Sequence, residues 1–402
     1  MPLLRLLIPL LLSIAREAAG QVAPAPGGPA SAGADSGGFI VRLGNDTLAL
    51  ERYRRAPDGI RGEVVLRVPD LRRVRYTATF TLSGAVGGLD VRMTPVEAGT
   101  SAPSHGVMRF DGDSADVILT MADGTRHLRV PARQGAVPLT AFSHALIEQA
   151  ILQALRSGRD SVAFDWLGLG AAAASPSYVV RCTDDSVRLA FFGDPGYAKL
   201  DRGGRILRLD GRETTVKVEV ERLPSVDLDR HAAEFAAEQA MTGPLGPLSP
   251  RDTARAVIHG ATLQVDYGRP RKRGREIFGG VVPWHRIWRL GANAATQLST
   301  SGDLEIAGRL IPAGTYSLFL LPTPSGATLI VNRQTGQWGT TYDAARDLAR
   351  LPLAAEHPAA AADQFTIDFD SAAAGGLLRM TWDTTSYRLP FLVRTPGPAA
   401  GS

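Results

Sequence analysis

Residues 39–53 read FIVRLGNDTLALERY. Two runs of alternating apolar and polar residues flank Asn45-Asp46, and a period of two broken by a turn pair predicts a β-hairpin. The same pattern recurs in GEVVLRV from Gly62, VRYTATFTLSG from Val74 and ADVILTMADGTRHLRV from Ala115, with Ser-Gly and Asp-Gly turns. An antiparallel sheet over residues 38–225 follows. YVVRCTDDSVRL, starting at Tyr178, echoes FIVRLGNDTLAL, with Val41, Arg42, Asp46 and Leu50 matched by Val180, Arg181, Asp185 and Leu189. Duplication and the general likeness of hairpins account for this equally well. Cys182, the single cysteine, reads as a small buried strand residue, and one cysteine excludes both an internal disulfide and a Cys-rich zinc site.

One amphipathic helix interrupts the strands, at about residues 141–157. Phe142, Leu146, Ile147, Ala150, Ile151, Ala154 and Leu155 form its apolar stripe, and Glu148, Gln153 and Arg156 lie off it. Thr140 or Ser143 suits the N-cap and Ser157-Gly158 the end. A sheet of this length covered by one helix fits a curved half-barrel, an architecture able to enclose an apolar ligand. A second helix, about Asp229 to Met241, stops at the TGPLGPLSP stretch, so residues 226–247 read as helix and linker. The strands beyond, ATLQVDYGRP, TYSLFLL, ATLIVNR, QFTIDFD and LLRMTWD, predict an antiparallel β-sandwich over 248–393, with a tail at 394–402.

At the start, residues 1–20 have Arg5, an apolar run to about Ile14 and small residues Ala18, Ala19 and Gly20. This reads as a signal peptide cleaved near Gln21, followed by a flexible linker at 21–37. A periplasmic or secreted location is expected, with no transmembrane span once the signal is removed. Against 44 Lys+Arg stand 40 Asp+Glu, and a net charge of +4 in 402 residues gives no reason to expect nucleic acid.

Chemistry is sparse. Zinc-protease helix, nucleophile elbow, P-loop and EF-hand patterns are absent, so no cofactor, no metal and no recognisable catalytic constellation are expected. DGDSAD (Asp111, Asp113, Asp116) and DFDSAAAGG (Asp368, Asp370) read as polar hairpin ends rather than calcium loops. The basic run RPRKRGRE, with Arg269, Arg271, Lys272, Arg273 and Arg275, suits a solvated loop or an acidic surface. VPWHRIWRLGANAATQL, residues 282–298, is richer. Trp284 and Trp288 share a face in either a strand or a helix, and Arg289 points away from them on a strand. Gly291 permits a bend, and Asn293 can satisfy backbone groups in it. Arg289 and Asn293 either pin an irregular loop to the sheet or face a cleft and bind an anionic or carbonyl group.

DYGRPRKRGREIFGGVVPWHRIWRLGANAATQL, LIPAGTYSLFLLP, LIVNRQTGQWGTTYD and FTIDFD, in this order over about residues 248–392, resemble a bacterial exported domain of unknown function, family DUF 2911. The positions that carry the likeness are Tyr267, Arg269, Pro270, Gly274, Arg275, Ile277, Phe278, Gly279, Val282, Pro283, Trp284, Trp288, Arg289, Gly291, Ala292 and Asn293. They continue through Ala313, Gly314, Tyr316, Leu318, Asn332, Gln337, Trp338, Gly339 and Tyr342. Trp284 stands where a tyrosine is common, and His285 where a small or polar residue is common. The resemblance implies location and domain limits but no activity. The expected function is therefore non-catalytic binding of a small molecule or cell-envelope component through Arg269, Arg275, Trp284, Trp288, Arg289, Asn293, Tyr316, Trp338, Tyr342 and Asp343. One rival is an envelope hydrolase using Asp343 as acid or base with Arg289 holding charge. Another is an apolar-ligand (lipid) carrier built on the N-terminal sheet and its helix.

Overall fold

The computed structural model describes residues 35–394 except 98, 100, 192 and 193; the expected signal peptide and nearly all of the expected linker lie outside the described residues. The chain is mainly β, with two compact units that meet in sequence at Gly246–Pro247. Among the described residues no helix is long and apolar enough to cross a membrane.

The first unit begins as an antiparallel meander: β1 (Asp35–Leu43), β2 (Asp46–Ala56), β3 (Gly59–Leu66), β4 (Arg72–Phe80), β5 (Val86–Pro95), β6 (Ser104–Asp111), β7 (Ser114–Met121) and β8 (Gly124–Pro131). Next come β9 (Val137–Leu139), helix α1 (His144–Arg156) and β10 (Ser161–Gly168). β9 and β10 pair in parallel, the one connection in this sheet that needs a crossover, and α1 supplies it. A second meander follows: β11 (Ser175–Thr183), β12 (Ser186–Phe191), β13 (Asp194–Leu200), β14 (Ile206–Asp210) and β15 (Glu219–Leu223). β15 returns to pair with β1, giving one 15-stranded sheet. The FIVRL and YVVRC stretches both form hairpins, β1–β2 and β11–β12. β1 opens at Asp35, inside the segment read as linker, because Asp35 accepts a hydrogen bond from Arg55 at 2.7 Å. Cys182 is exposed rather than buried: the β11–β12 register shifts between Arg181 and Thr183, at the hairpin's outer end.

Helix α1 departs from the expected one-sided stripe. Leu146 and Ile151 are fully buried, but so is Glu148. The sheet wraps α1, so the helix's polar side also meets protein. Arg55 Nη1 and Tyr53 Oη donate to Glu148 Oε1 at 2.8 and 3.1 Å; Ile206 N donates to Oε2 at 2.7 Å, and Arg222 Nη2 donates to the same oxygen. At the N-terminus, Ser143 occupies the cap position without capping through its own side chain. Glu51 of β2 does this instead, accepting from the backbone N–H of His144 at 2.7 Å and Ala145 at 3.2 Å, from Ser143 Oγ at 2.8 Å and from Tyr76 Oη at 2.5 Å. A carboxylate at this place satisfies orphan donors and meets the positive end of the helix.

Helix α2 (Leu228–Thr242) lies on the other face of β2 and β3, where Leu50, Val65, Leu71, Val226, Leu228 and Ala232 form a small core. Arg67 covers the Phe235 ring and pairs with Glu238 at 2.7 Å.

The second unit is a sandwich. One layer runs β16 (Arg251–Ile258), β17 (Ala261–Gly268), β18 (Thr296–Thr300), β21 (Gly314–Thr323), β22 (Gly326–Asn332) and β23 (Asp347–Glu356). The other holds β24 (Ala362–Ala372), β25 (Gly375–Asp383) and β26 (Thr385–Arg394), with the short β19 (Asp303–Ile306) and β20 (Arg309–Ile311) beyond β26. The far end of β23 crosses to pair with β26, and residues 270–271 bond to 364–365 at the start of β24, so the two layers nearly close into a barrel. Leu263, Val265, Leu318, Leu329, Ile367, Leu378 and Met380 fill the space between them. The DGDSAD and DFDSAAAGG runs lie at hairpin ends, as read, and their carboxylates face arginine: Asp116 and Asp111 meet Arg129, and Asp368 and Asp370 meet Arg379.

Removing one partner of a buried ion pair strands the other, so Glu148→Ala is expected to lower stability by about 3–5 kcal/mol in urea denaturation. The pH response tests the α1 cap. Burial pushes the Glu51 carboxyl up from 4.5 to about 7, against the pull of its donors, and burial pushes His144 down from 6.5 to about 4. The raised carboxyl is stabilising while protonated, and that contribution falls as pH rises from 4.5 to 7. The depressed imidazole contributes above 6.5, and this is lost as pH falls toward 4. These slopes oppose one another in the parent. Glu51→Gln should therefore show stability rising between pH 4.5 and 6.5 where the parent is nearly flat, read as urea midpoints across that range.

Candidate functional site

Between β17 and β18, residues 269–295 form no strand and make only isolated bridges. Ordered stretches of this length without regular structure are uncommon in compact domains, and they need substitutes for ladder hydrogen bonds. Here the basic residues supply many of them. Arg269 donates to the Phe365 carbonyl at 3.2 Å, to Thr366 Oγ1 at 2.9 Å and to Asp252 at 2.8 Å. Arg271 pairs with Asp363 at 3.3 Å, and Lys272 with Asp383 at 2.6 Å. Arg275 closes the turn by donating to the carbonyls of Lys272 at 3.0 Å and Arg271 at 2.6 Å. The RPRKRGRE run is thus largely neutralised by its own domain.

Aromatic packing holds the next part. Trp288 stacks on Trp382 at 5.8 Å and meets Phe365 edge-on at 5.1 Å; its Nε1 donates to the Gly291 carbonyl at 3.1 Å. Its backbone exchanges two hydrogen bonds with Leu320 of β21. Trp284 stacks on Phe278 at 6.0 Å, and Phe278 also meets Trp288 edge-on. The two tryptophans therefore converge on Phe278, although the segment is neither strand nor helix. At the tip, His285, Arg286 and Ile287 are exposed, and His285, at φ 61°, donates its backbone N–H to the Pro322 carbonyl.

Arg289 turns to the opposite side. Its side chain lies along Gly339, where an added Cβ would sit 2.2 Å from Arg289 Cδ and 2.6 Å from the Asn293 carbonyl. Arg289 Nη1 donates to that same carbonyl at 3.2 Å, and Gly339 N donates to it at 2.9 Å. Asn293 itself is exposed, at φ 64°. Trp338 bridges to Ala294 beside this junction. Tyr342 packs on Phe319 at 4.9 Å and donates its hydroxyl to Asp347 at 2.7 Å; burial and that carboxylate push the phenol up to about 12. The carboxylate of Asp343 accepts from Ala345 N at 3.0 Å, capping a short 3-10 turn. Tyr316 is buried, with its hydroxyl on the Pro312 carbonyl at 2.9 Å.

The candidate residues do not share one pocket. Arg289 and Gly339 meet at the Asn293 backbone carbonyl, next to the Trp338–Ala294 bridge, with Tyr342 and Asp343 on the chain that follows. Trp284 and Trp288 lie in the aromatic cluster, and Arg269 and Arg275 brace the start of the segment. Among the described residues no group of three or more His, Cys, Asp or Glu side chains is placed to hold a metal ion.

Residues 249–391 match the family described as Protein of unknown function (DUF2911). The DUF2911 domain thus coincides with the sandwich, and the first unit has no family assignment. No curated protein matches the chain. Several solved structures are distantly similar, two of them as follows. A DUF1089 family protein from Pseudomonas aeruginosa has 14% identity and a TM-score of 0.30, covering 41% of this chain and 90% of that one. A beta-barrel-like protein of domain of unknown function DUF1849 from Brucella abortus has 9% identity and a TM-score of 0.29, covering 47% and 94%.

Sequence reasoning missed the polar interior of the first unit: Glu51, Tyr53 and Arg55 on β2, Tyr76, Glu148 and Arg222. The available signal was the i, i+2, i+4 phase of Glu51, Tyr53 and Arg55, which puts all three on one face of the strand. What hid it is that a charged row looks like the solvent side until a helix is seen to cover it.

The Gly339–Arg289 contact gives a direct check on the brace in the DUF2911 domain. Gly339→Ala should displace Arg289 and cost about 1–3 kcal/mol by overpacking, measured by urea denaturation, with a change in near-UV tryptophan circular dichroism.

Proposed function

We propose that this is an exported, non-catalytic binding protein, periplasmic or secreted, whose DUF2911 domain presents a preformed surface to a small molecule or cell-envelope component. The observation that carries this reading is the dedicated bracing of residues 269–295. Arg269, Arg275 and Arg289 donate to backbone carbonyls and act as posts for the segment. The posts and the aromatic cluster hold up a tip at Trp284, His285, Arg286 and Ile287, where the last three are exposed. Fixing a contact loop beforehand lowers the entropy lost on binding, and functional residues concentrate on loops carried by rigid scaffolds.

The rival readings have less support. Asp343 caps a turn, with Arg346 at 3.6 Å, and this gives a hydrolase no paired acid and base. In the first unit, Leu146 and Ile151 are fully buried, and a charged network takes up the polar side of α1. That arrangement does not favour an apolar carrier.

Two measurements test the reading. N-terminal sequencing of protein recovered from a periplasmic extract should begin near Gln21; a mature chain starting at Met1 in the cytoplasm would refute export. Tryptophan fluorescence of the full chain should change saturably with at least one member of a panel of envelope saccharides and muropeptides. Trp284→Ala and Arg286→Ala should lose that response and Arg379→Ala retain it. A response indifferent to Trp284 and Arg286 would move binding to another surface.

A further inference from the structure

The outer face of β1–β4 carries a feature separate from the DUF2911 domain. An open groove of about 680 Å³ crosses these strands. Its charged lining consists of Arg52, Arg54, Arg61, Arg75 and Glu63, four guanidiniums against one carboxylate, and Pro224, Ser225 and Val226 form one wall. We propose that this groove is an anion-binding site, taking an elongated ligand with two or more phosphate or carboxylate groups.

The register explains why the site is unbalanced. Arg54 lies directly opposite Arg61 across the β2–β3 pair, and Arg61 opposite Thr77 of β4. Both arginines are exposed, and neither has a carboxylate partner among the described residues. Like charges directly opposite on a sheet are destabilising, and an anion lying between them removes that penalty. One step along the strands, Arg52, Glu63 and Arg75 occupy the next cross-strand row. Glu63 accepts from Arg52 at 3.0 Å, Arg75 at 3.1 Å and Arg73 at 2.9 Å. Arg73 also pairs with Asp229 at 2.7 Å, so Glu63 is left to position Arg52 and Arg75 without neutralising both, and N–H groups stay free to fork onto a phosphate or carboxylate.

The lining also narrows the ligand. A lone inorganic anion would fill little of a groove this size, and the charged rows run across several strands, so an extended chain of charges fits better. Tyr53 and Tyr76 border the groove, but both are buried and direct their hydroxyls to Glu148 and Glu51 on the inner face. Exposed rings on which bases would stack are therefore missing from the lining, which disfavours single-stranded nucleic acid. Ser36, Thr77 and Ser225 give a polar rim unlike one that seats acyl chains.

The test is calorimetric titration of the full chain with two probes, sodium tripolyphosphate and trigalacturonate, at about 50 mM and about 300 mM NaCl. At least one probe should bind at one site, roughly tenfold more weakly at the higher salt. The preferred probe distinguishes phosphate from carboxylate ligands. Arg54→Ala combined with Arg61→Ala should weaken binding roughly tenfold or more, with no loss of thermal stability, because a like-charge pair has been removed. Thr77→Glu keeps both arginines and places a competing carboxylate opposite Arg61; it too should weaken binding. Arg126→Ala, on β8, should bind as the parent does. Failure of both probes to bind, or binding unchanged in the double variant and in Thr77→Glu, would overturn the proposal.

Discussion

Glu148 is the interaction on which the first unit depends. Every residue of α1 from His144 to Ile151 is buried, so these turns have no side left for solvent, and a buried carboxylate is costly unless it is paired and hydrogen-bonded. Glu148 meets both conditions, with Arg55 and Tyr53 from β2, Arg222 from β15 and a backbone donor from β14. Replacing such a set with apolar residues can leave a fold as stable or more so, so its value lies partly in specificity. Only one placement of α1 brings Glu148 to Arg55 and Arg222 and, at the same time, the first turn of the helix to Glu51.

The DUF2911 domain solves the opposite problem. Its interior is apolar, but its longest connection has to be ordered without strand pairing. Donors from Arg269, Arg275 and Arg289 on backbone carbonyls, together with the stack of Trp288 on Trp382, replace the missing ladder. The motif residues that stand out in the sequence are thus mostly those that hold the segment, and the exposed tip at 285–287 is chemically plainer.

Much of the architecture could be read from alternation. The hairpins from Phe39 to Tyr53 and from Ala115 to Val130 followed directly from period and turn chemistry, as did the helix, read at about 141–157 and formed at 144–156. β23 and β26 were harder, since each contains a proline, Pro352 and Pro390, and proline argues against a strand interior. Glu148 lies off the apolar stripe in the sequence, and an amphipathic pattern does not disclose that this side is covered too. The role of Arg289 was balanced between brace and ligand contact, and only the position of Gly339, distant in sequence, shows what lies against it. The arginine row on β2–β4 was invisible as a unit because residues opposite one another across strands are scattered along the chain.

The order of the 15 strands has a consequence for how the first unit is assembled. Strands β2–β8 and β10–β14 each pair with sequence neighbours, so two meanders can form locally as the chain emerges. The seam between β1 and β15 joins residues 38–42 to residues 219–223. Until that last strand has been synthesised, β1 presents a bare edge of unpaired N–H and C=O groups, the kind of edge that recruits other chains. Loss of β15 by premature termination would thus leave two half-sheets with a sticky border and Glu148 without Arg222. The chain is committed to its interior only when its two meanders are stitched together.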